Sequence, residues 1–103
     1  TAIAAAYAQK HAVPCRHVLY TPLALTYEFA PQHAIAFLGT ADPGRDVDAV
    51  TAQSRANGTP ITVYAQANHS LETPDTLRNI QILGEVMQNT ADFLHGCVPR
   101  TMP

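Results

Sequence analysis

Two residues with complementary chemistry, Asp42 and His69, each follow a short apolar run. Asp42 comes after residues 34–38 (Ala-Ile-Ala-Phe-Leu), and His69 comes after residues 61–65 (Ile-Thr-Val-Tyr-Ala). Such runs predict buried strands. In open α/β sheets the functional residues lie just beyond the carboxyl ends of the strands. We therefore expect an acid and an imidazole to face each other from two adjacent loops.

A carboxylate beside an imidazole can turn the imidazole into a general base. The carboxylate accepts a hydrogen bond from Nδ1 and fixes the tautomer, so that Nε2 can take a proton from a nucleophile. A simpler interpretation stays open at this point, because an Asp before Pro-Gly is commonly a turn former and a loop His is commonly solvated. Glu72 is a second candidate to orient His69 in place of Asp42.

The elements that must position this pair alternate between helix and strand. The sequence predicts helices over residues 2–11, 46–56 and 74–94, strands over residues 16–21, 34–38 and 61–65, and either a helical turn or a loop over residues 23–29. Strands that alternate with helices imply right-handed crossovers, so we expect an α/β fold with a parallel sheet of about three strands and flanking helices.

The last helix has the clearest periodicity in the chain. Thr73 is its expected N-cap, Pro74 its expected first helical residue, and Asp75 an acid that suits the helix dipole. The residues that recur at intervals of three to four are Leu77, Ile80, Leu83, Met87, Thr90 and Leu94. Gly96 and Pro99 are its expected stop, as the Val13-Pro14 step is for the first helix.

The segments around the acid and the histidine resemble those of the α/β-hydrolase fold enzymes. Gly39-Thr40-Ala41-Asp42-Pro43 is similar to the acid segment of that family, and Ala67-Asn68-His69-Ser70-Leu71-Glu72 is similar to its histidine segment. The resemblance covers essentially the whole chain and implies the C-terminal half of that fold. It also implies a serine hydrolase of ester, amide or thioester substrates, with Asp42 as the triad acid and His69 as the base.

The sequence departs from this family in one respect, because it has no Gly-x-Ser-x-Gly elbow. Ser54 falls within a predicted helix and Ser70 is adjacent to His69, so neither fits the pattern of the nucleophile. We expect the serine to lie upstream of Thr1, residues 1–103 to be one partial domain, and this fragment alone to be inactive. The contrasting hypothesis is a non-catalytic α/β binding or structural module.

Other patterns that could bind a ligand are incomplete. Gly39 and Gly44 have the spacing of a phosphate loop, but Arg45 and Asp46 follow where Lys and Ser or Thr are needed. Asp46 and Asp48 begin like a calcium loop whose third ligand and glycine are missing. The remaining histidines lack metal-site spacing. We therefore expect no metal and no cofactor.

Composition limits the partners that are expected. A net charge of -2 and six scattered Lys and Arg residues give no basic surface for nucleic acid. No apolar run is long enough to span a membrane. Cys15 and Cys97 are far apart and form no Cys-x-x-Cys motif, which favours a reducing compartment such as the cytoplasm. A small acyl substrate is the expected partner, and the pattern indicates no particular oligomeric state.

Overall fold

The computed structural model of this protein describes residues 2–12 and 15–95. The elements in order are α1 (Ala2–His11), β1 (His17–Tyr20), a 3-10 helix (Ala24–Phe29), β2 (Ala34–Gly39), α2 (Val47–Ala56), β3 (Ile61–Tyr64) and α3 (Thr76–Leu94). This alternation confirms the predicted α/β class. The predicted helix stops at Val13-Pro14 and at Gly96 and Pro99, together with Cys97, lie outside the described residues. Within the described part of the chain, no helix is both long enough and apolar enough to cross a membrane.

The three strands form one parallel sheet in the order β1-β2-β3. β2 is the central strand, since Ala34 is in register with His17 of β1 and Ala36 with Ile61 of β3. All six residues of β2 are buried. A continuous apolar run is typical of a parallel strand that is covered on both faces, which is why residues 34–38 carry no polar alternation.

The side chains of β2 alternate between two hydrophobic cores, one on each face of the sheet. On one face Ala34, Ala36 and Leu38 pack with Leu19, Tyr27 and Val50, which come from β1, the 3-10 helix and α2. On the other face Ile35 and Phe37 pack with Tyr64 and Ala67 and with Ile82 and Val86 of α3. The sheet is therefore the middle layer between α2 and α3, and its carboxyl edge is left to the loops.

Local signals fix the bounds of α2. The Asp46 carboxylate caps its first turn by accepting a hydrogen bond from the N–H of Ala49 at 3.1 Å. The helix ends at Asn57-Gly58, where Gly58 has a φ of +75°, a conformation that glycine adopts without steric cost. Both ends agree with the prediction.

The predicted start of α3 is wrong by two residues. Asp75, not Thr73, is the N-cap, and its carboxylate accepts hydrogen bonds from the N–H groups of Leu77 and Arg78. The Thr73 hydroxyl accepts a hydrogen bond from the N–H of Asp75 and donates to Asn79 Oδ1, so it shapes the turn before the helix. Pro74 therefore lies outside the helix.

The apolar stripe of α3 faces away from the two cores. Ile82 and Val86 are the apolar residues of α3 that are buried, whereas the residues of the predicted periodicity lie mostly in solvent. The exposed residues of this stripe are Leu77, Ile80, Leu83, Met87 and Leu94. In α1, similarly, Ala5 is buried while Ile3 and Tyr7 are exposed. Periodicity placed these residues on common helix faces, and the sheet covers other faces.

Candidate active site

The structure brings Asp42 and His69 into contact at the carboxyl edge of the sheet. The Nδ1 atom of His69 lies 3.2 Å from Oδ2 and 3.3 Å from Oδ1 of Asp42. Both distances are within hydrogen-bond reach. The Asp42 side chain is completely buried, whereas 58% of the His69 side chain is exposed. The ring therefore shows one nitrogen to a buried acid and leaves Nε2 for a partner in solvent or a ligand.

Backbone hydrogen bonds hold together the two loops that carry this pair. The N–H of Thr40 donates to the carbonyl of Tyr64 at 3.0 Å, and its hydroxyl accepts from the N–H of Gln66 at 2.7 Å. The N–H of Ala41 donates to the carbonyl of Ala67 at 2.9 Å. These bonds continue the pairing of β2 and β3 past the strand ends, so the loops are fixed relative to each other without the Asp–His contact.

Gly39 lets the two loops approach this closely. A Cβ atom built at this position would overlap the carbonyl group of Ala67 and would also crowd its Cβ. Any side chain at residue 39 would therefore push the histidine loop away from the loop that carries Asp42. The requirement here is for space, because Gly39 is not among the glycines with a positive φ.

Asn68 closes the loop on which His69 lies. Its Oδ1 accepts hydrogen bonds from the N–H groups of Ser70 at 2.9 Å and Glu72 at 3.1 Å. Its own N–H donates to the carbonyl of Glu72 at 2.9 Å. An Asn that caps its own loop in this way holds the backbone in a tight turn. Glu72 takes part in these hydrogen bonds through its backbone. The carboxylate that contacts the His69 ring is that of Asp42, so the structure does not support Glu72 as the residue that orients His69.

Arg45 adds a positive charge close to the acid. Its Nε donates to the carbonyl of Thr21 at 3.2 Å and lies 3.9 Å from Asp42 Oδ2. A buried carboxylate is costly unless it is paired, and Arg45 and His69 are the groups that lie beside this one, both near Oδ2. Sequence reasoning missed this role of Arg45. The available signal was a basic residue three positions after an Asp in a turn, which is weak because the bond to Thr21 joins residues far apart in the chain.

A groove of about 630 Å³ begins at His69 and runs along α3. Tyr20 and Thr21 at the end of β1 form one wall, and α3 forms the other. The α3 residues that line it are Thr76, Asn79, Ile80, Ile82, Leu83, Val86 and Met87. Ile80, Leu83 and Met87, which belong to the part of the α3 stripe that the cores leave exposed, thus line a groove next to the imidazole, which the sequence did not predict.

Ser54 and Ser70 form hydrogen bonds with groups other than the ring of His69. Ser54 is a buried residue of α2, and its hydroxyl accepts a hydrogen bond from Tyr27 of the 3-10 helix at 3.0 Å and donates to the carbonyl of Thr59 at 3.0 Å. Ser70 is exposed and its N–H belongs to the turn capped by Asn68. Neither of these two serine hydroxyls is hydrogen-bonded to the His69 ring.

The other candidate ligands are dispersed over the molecule. His17 and His33 lie at the amino ends of β1 and β2, the edge of the sheet opposite His69. The Cys15 sulfur lies 3.4 Å from Nε2 of His17. Asp46 is the cap of α2. In residues 2–12 and 15–95, no group of three or more His, Cys, Asp and Glu side chains is placed to hold a metal ion.

Comparison of this chain with protein-family models, with curated proteins and with solved structures gives no significant match. A buried acid, an exposed imidazole and an apolar groove meet at the carboxyl edge of the sheet.

Proposed function

We propose that this chain is the C-terminal part of a serine hydrolase with an α/β-hydrolase type of fold. In this proposal Asp42 is the triad acid, His69 is the general base, and the serine belongs to chain outside residues 1–103. The observation that supports it best is the contact of a buried carboxylate with Nδ1 of an imidazole whose ring is half exposed. This is the arrangement that leaves Nε2 available to exchange a proton.

The proposed reaction is acyl transfer to water. The serine Oγ attacks the substrate carbonyl carbon and its proton passes to Nε2 of His69, which gives an imidazolium beside the Asp42 carboxylate. The tetrahedral intermediate then expels the leaving group, which takes that proton. Water attacks the acyl-enzyme while giving a proton to Nε2, and the second intermediate releases the carboxylic acid as the proton returns to the serine.

The surroundings of Asp42 suit this role. The carboxylate has to stay in place while the imidazole gains and loses a positive charge, and Arg45 together with the loop-to-loop bonds holds it behind the ring. The loops are tied by Thr40 and Ala41, so the pair is not needed merely to join them. This favours the enzyme over a module in which the pair is only a structural link.

The order of the two residues along the chain also supports the proposal. In the chain order of the α/β-hydrolase fold the acid precedes the histidine, as Asp42 precedes His69 here. The proposal extends to the cytoplasm as the compartment, where the exposed Cys15 thiol would stay reduced.

A fluorophosphonate probe, which reacts with activated serines, tests the proposal on the full-length protein. We expect labelling of one serine and hydrolysis of a nitrophenyl ester, and we expect His69→Ala to lower kcat by about 10³-fold or more because the serine loses its base. The matched control is His33→Asn, a histidine at the opposite edge of the sheet whose φ of +52° Asn tolerates.

The control should keep full labelling and turnover. Equal turnover in the His69→Ala variant, with its fold intact by circular dichroism, would remove His69 from the mechanism. A wild-type protein that neither labels nor hydrolyses the ester would favour the non-catalytic module.

A further inference from the structure

Arg45 connects the loops that follow all three strands of the sheet. Its Nε donates a hydrogen bond to the carbonyl of Thr21, after β1, at 3.2 Å, and lies 3.9 Å from Oδ2 of Asp42, after β2. The same Oδ2 lies 3.2 Å from Nδ1 of His69, after β3. Only 18% of the Arg45 side chain is exposed, so its charge is screened less than that of a surface arginine.

Backbone groups at both ends of the Arg45 side chain fix where its guanidinium lies. The N–H of Arg45 donates to the carbonyl of Asp42 at 3.3 Å and closes a turn in which Gly44 has a φ of +79°. The carbonyl of Thr21 then binds Nε, and the N–H of Thr21 donates to the carbonyl of Phe37 at 2.7 Å. The guanidinium is therefore held close to the acid by the backbone.

The two neighbours of the acid act on it in different ways. Nδ1 of His69 is within hydrogen-bond reach of both carboxylate oxygens of Asp42. In contrast, the 3.9 Å from Nε of Arg45 to Oδ2 exceeds the length of an N–H···O hydrogen bond. Nε of Arg45 thus acts on the carboxylate through its charge, and the hydrogen bond is left to the imidazole.

A carboxylate that is completely buried needs a positive charge beside it. A guanidinium is always charged, whereas an imidazole is charged only after it binds a second proton. With Arg45 in place, His69 can stay neutral beside an ionised Asp42, and its Nε2 is free to accept a proton. Without Arg45, the carboxylate would stabilise the imidazolium more strongly, and an imidazolium has no nitrogen left that can act as a base.

Other charged residues on neighbouring segments are Asp46, Glu72 and Arg78. Asp46 and Glu72 are exposed, so solvent screens their carboxylates. Arg78 donates a hydrogen bond to the carbonyl of Ala65, just past β3, at 3.3 Å. Arg45 differs from these residues because it lies 3.9 Å from the buried acid itself.

We propose that Arg45 is a positioning residue of the site: it is the standing counter-charge of Asp42, and it keeps His69 neutral and able to accept a proton between turnovers. The effect on turnover rests on the proposed hydrolase function, whereas the effect on the protonation of His69 does not. Arg45 acts through Asp42 and takes no part in the bonds that are made or broken in the reaction.

Ring-nitrogen NMR of the full-length protein labelled with ¹⁵N-histidine tests the proposal without catalysis. The His69 signals, assigned by their loss in His69→Ala, report the pH at which half of the rings are protonated. In Arg45→Gln we expect this midpoint to rise by about half a pH unit or more, because the positive charge is gone. Glutamine carries an amide nitrogen at the place of Nε along the side chain, so it can still donate a hydrogen bond to Thr21.

Two further variants separate the charge from other effects. Arg45→Lys keeps the positive charge and should keep the midpoint of the wild type. Arg55→Gln, the matched control, removes the same charge from an exposed arginine in the last turn of α2 and should leave the midpoint unchanged.

Three results of the titration would overturn the proposal. The first is an unchanged or lowered midpoint in Arg45→Gln. The second is a midpoint in Arg45→Lys that rises as far as in Arg45→Gln. The third is a wild-type His69 ring that is still charged at about pH 8, and this measurement applies even if Arg45→Gln fails to fold.

The pH profile of turnover distinguishes loss of charge from loss of structure. For the nitrophenyl ester, kcat/KM of Arg45→Gln should be at least about threefold below the wild type on the acid side of the profile. It should equal the wild type in alkali, where His69 is neutral in both proteins. A carboxylate displaced by the loss of Arg45 would instead lower kcat/KM by the same factor at every pH.

The outcomes separate this inference from the proposed function. Hydrolysis that needs His69, with the same pH profile in Arg45→Gln as in the wild type, would overturn the role of Arg45 and leave the hydrolase proposal standing. A raised NMR midpoint in a protein that hydrolyses no ester would support the role of Arg45 in the protonation of His69 and overturn the hydrolase.

Discussion

Asp42 combines complete burial of its side chain with two positively charged or chargeable neighbours. Its Oδ2 lies 3.2 Å from Nδ1 of His69 and 3.9 Å from Nε of Arg45. Asparagine has nearly the same shape, but it carries no charge to stabilise an imidazolium and its amide nitrogen donates where the carboxylate only accepts. Replacing Asp42 by asparagine therefore removes the charge of this side chain while keeping its packing.

We expect Asp42→Asn to lower kcat by about 10²- to 10⁴-fold while KM changes little, because the imidazolium forms only as the reaction proceeds. Steady-state kinetics on the nitrophenyl ester of the full-length protein measures both values. The control is Asp46→Asn, which keeps a good N-cap for α2 and should alter neither activity nor the midpoint of urea unfolding. An Asp42→Asn variant as active as the wild type would show that the carboxylate does not assist His69.

At the scale of residues, the sequence predicted that Asp42 and His69 lie together, but it did not predict that Arg45 lies beside Asp42. Asp42 and His69 each follow an apolar run after a few residues. Parallel pairing of those two runs as strands was therefore enough to bring the two side chains together. Arg45 contacts Thr21 across the end of β1, and no local pattern reveals that contact. Side-chain bonds between distant segments depend on the three-dimensional course of the loops, which spacing along the chain does not encode.

At the scale of elements, the paired strands β2 and β3 position the site through the loops that follow them. The approach of these loops leaves no room for a side chain at Gly39, whereas Gly84 in α3 has open space around the position of a Cβ. The two glycines therefore respond in opposite directions to the same substitution.

We expect Gly39→Ala to lower the free energy of unfolding by about 1–3 kcal/mol, because the added methyl group displaces the Ala67 carbonyl. The displacement would also separate His69 from Asp42, so turnover should fall with stability. Gly84→Ala, the control, should raise the free energy of unfolding by about 0.5–1 kcal/mol, since alanine is the better helix former. Urea titration of both variants checks this, and a Gly39→Ala protein as stable as the wild type would contradict the close approach.

Elements were predicted with differing success, and α3 shows why. Its existence followed from a repeat of three to four residues, but its start did not, because Thr73 and Asp75 both have side chains that cap helices and Asp75 takes that position. The repeat also gave no information on what covers the stripe of Leu83 and Met87. Periodicity identifies the residues that share a face, whereas burial depends on which face the sheet meets.

For the whole molecule, the sheet separates two cores that each bury a tyrosine. On the α2 side the Tyr27 hydroxyl donates a hydrogen bond to Ser54, and burial raises the pKa of Tyr27. On the α3 side burial, reinforced by the nearby carboxylate of Glu85, raises the pKa of Tyr64 to about 12. Both phenols are thus harder to ionise in the folded protein than in the unfolded chain.

This difference predicts a loss of stability in alkali. Below pH 10 both states keep the Tyr64 proton, whereas between about pH 10 and 12 the unfolded chain ionises first and is favoured. We expect the free energy of unfolding to fall over this range, and to fall less steeply in Tyr64→Phe, which has no phenol to ionise. Urea titrations at pH 8 and about pH 11 measure the fall. Equal slopes for the two proteins would show that Tyr64 is not held neutral by its surroundings.

The two partners at the carboxyl edge differ in burial, and only one of them has open space beside it. Asp42 is anchored behind the strand that is buried along its whole length, whereas more than half of the His69 side chain is open to solvent. In the proposed mechanism any adjustment of position between nucleophile and leaving group therefore falls to the imidazole, while the buried carboxylate stays on its Nδ1 side.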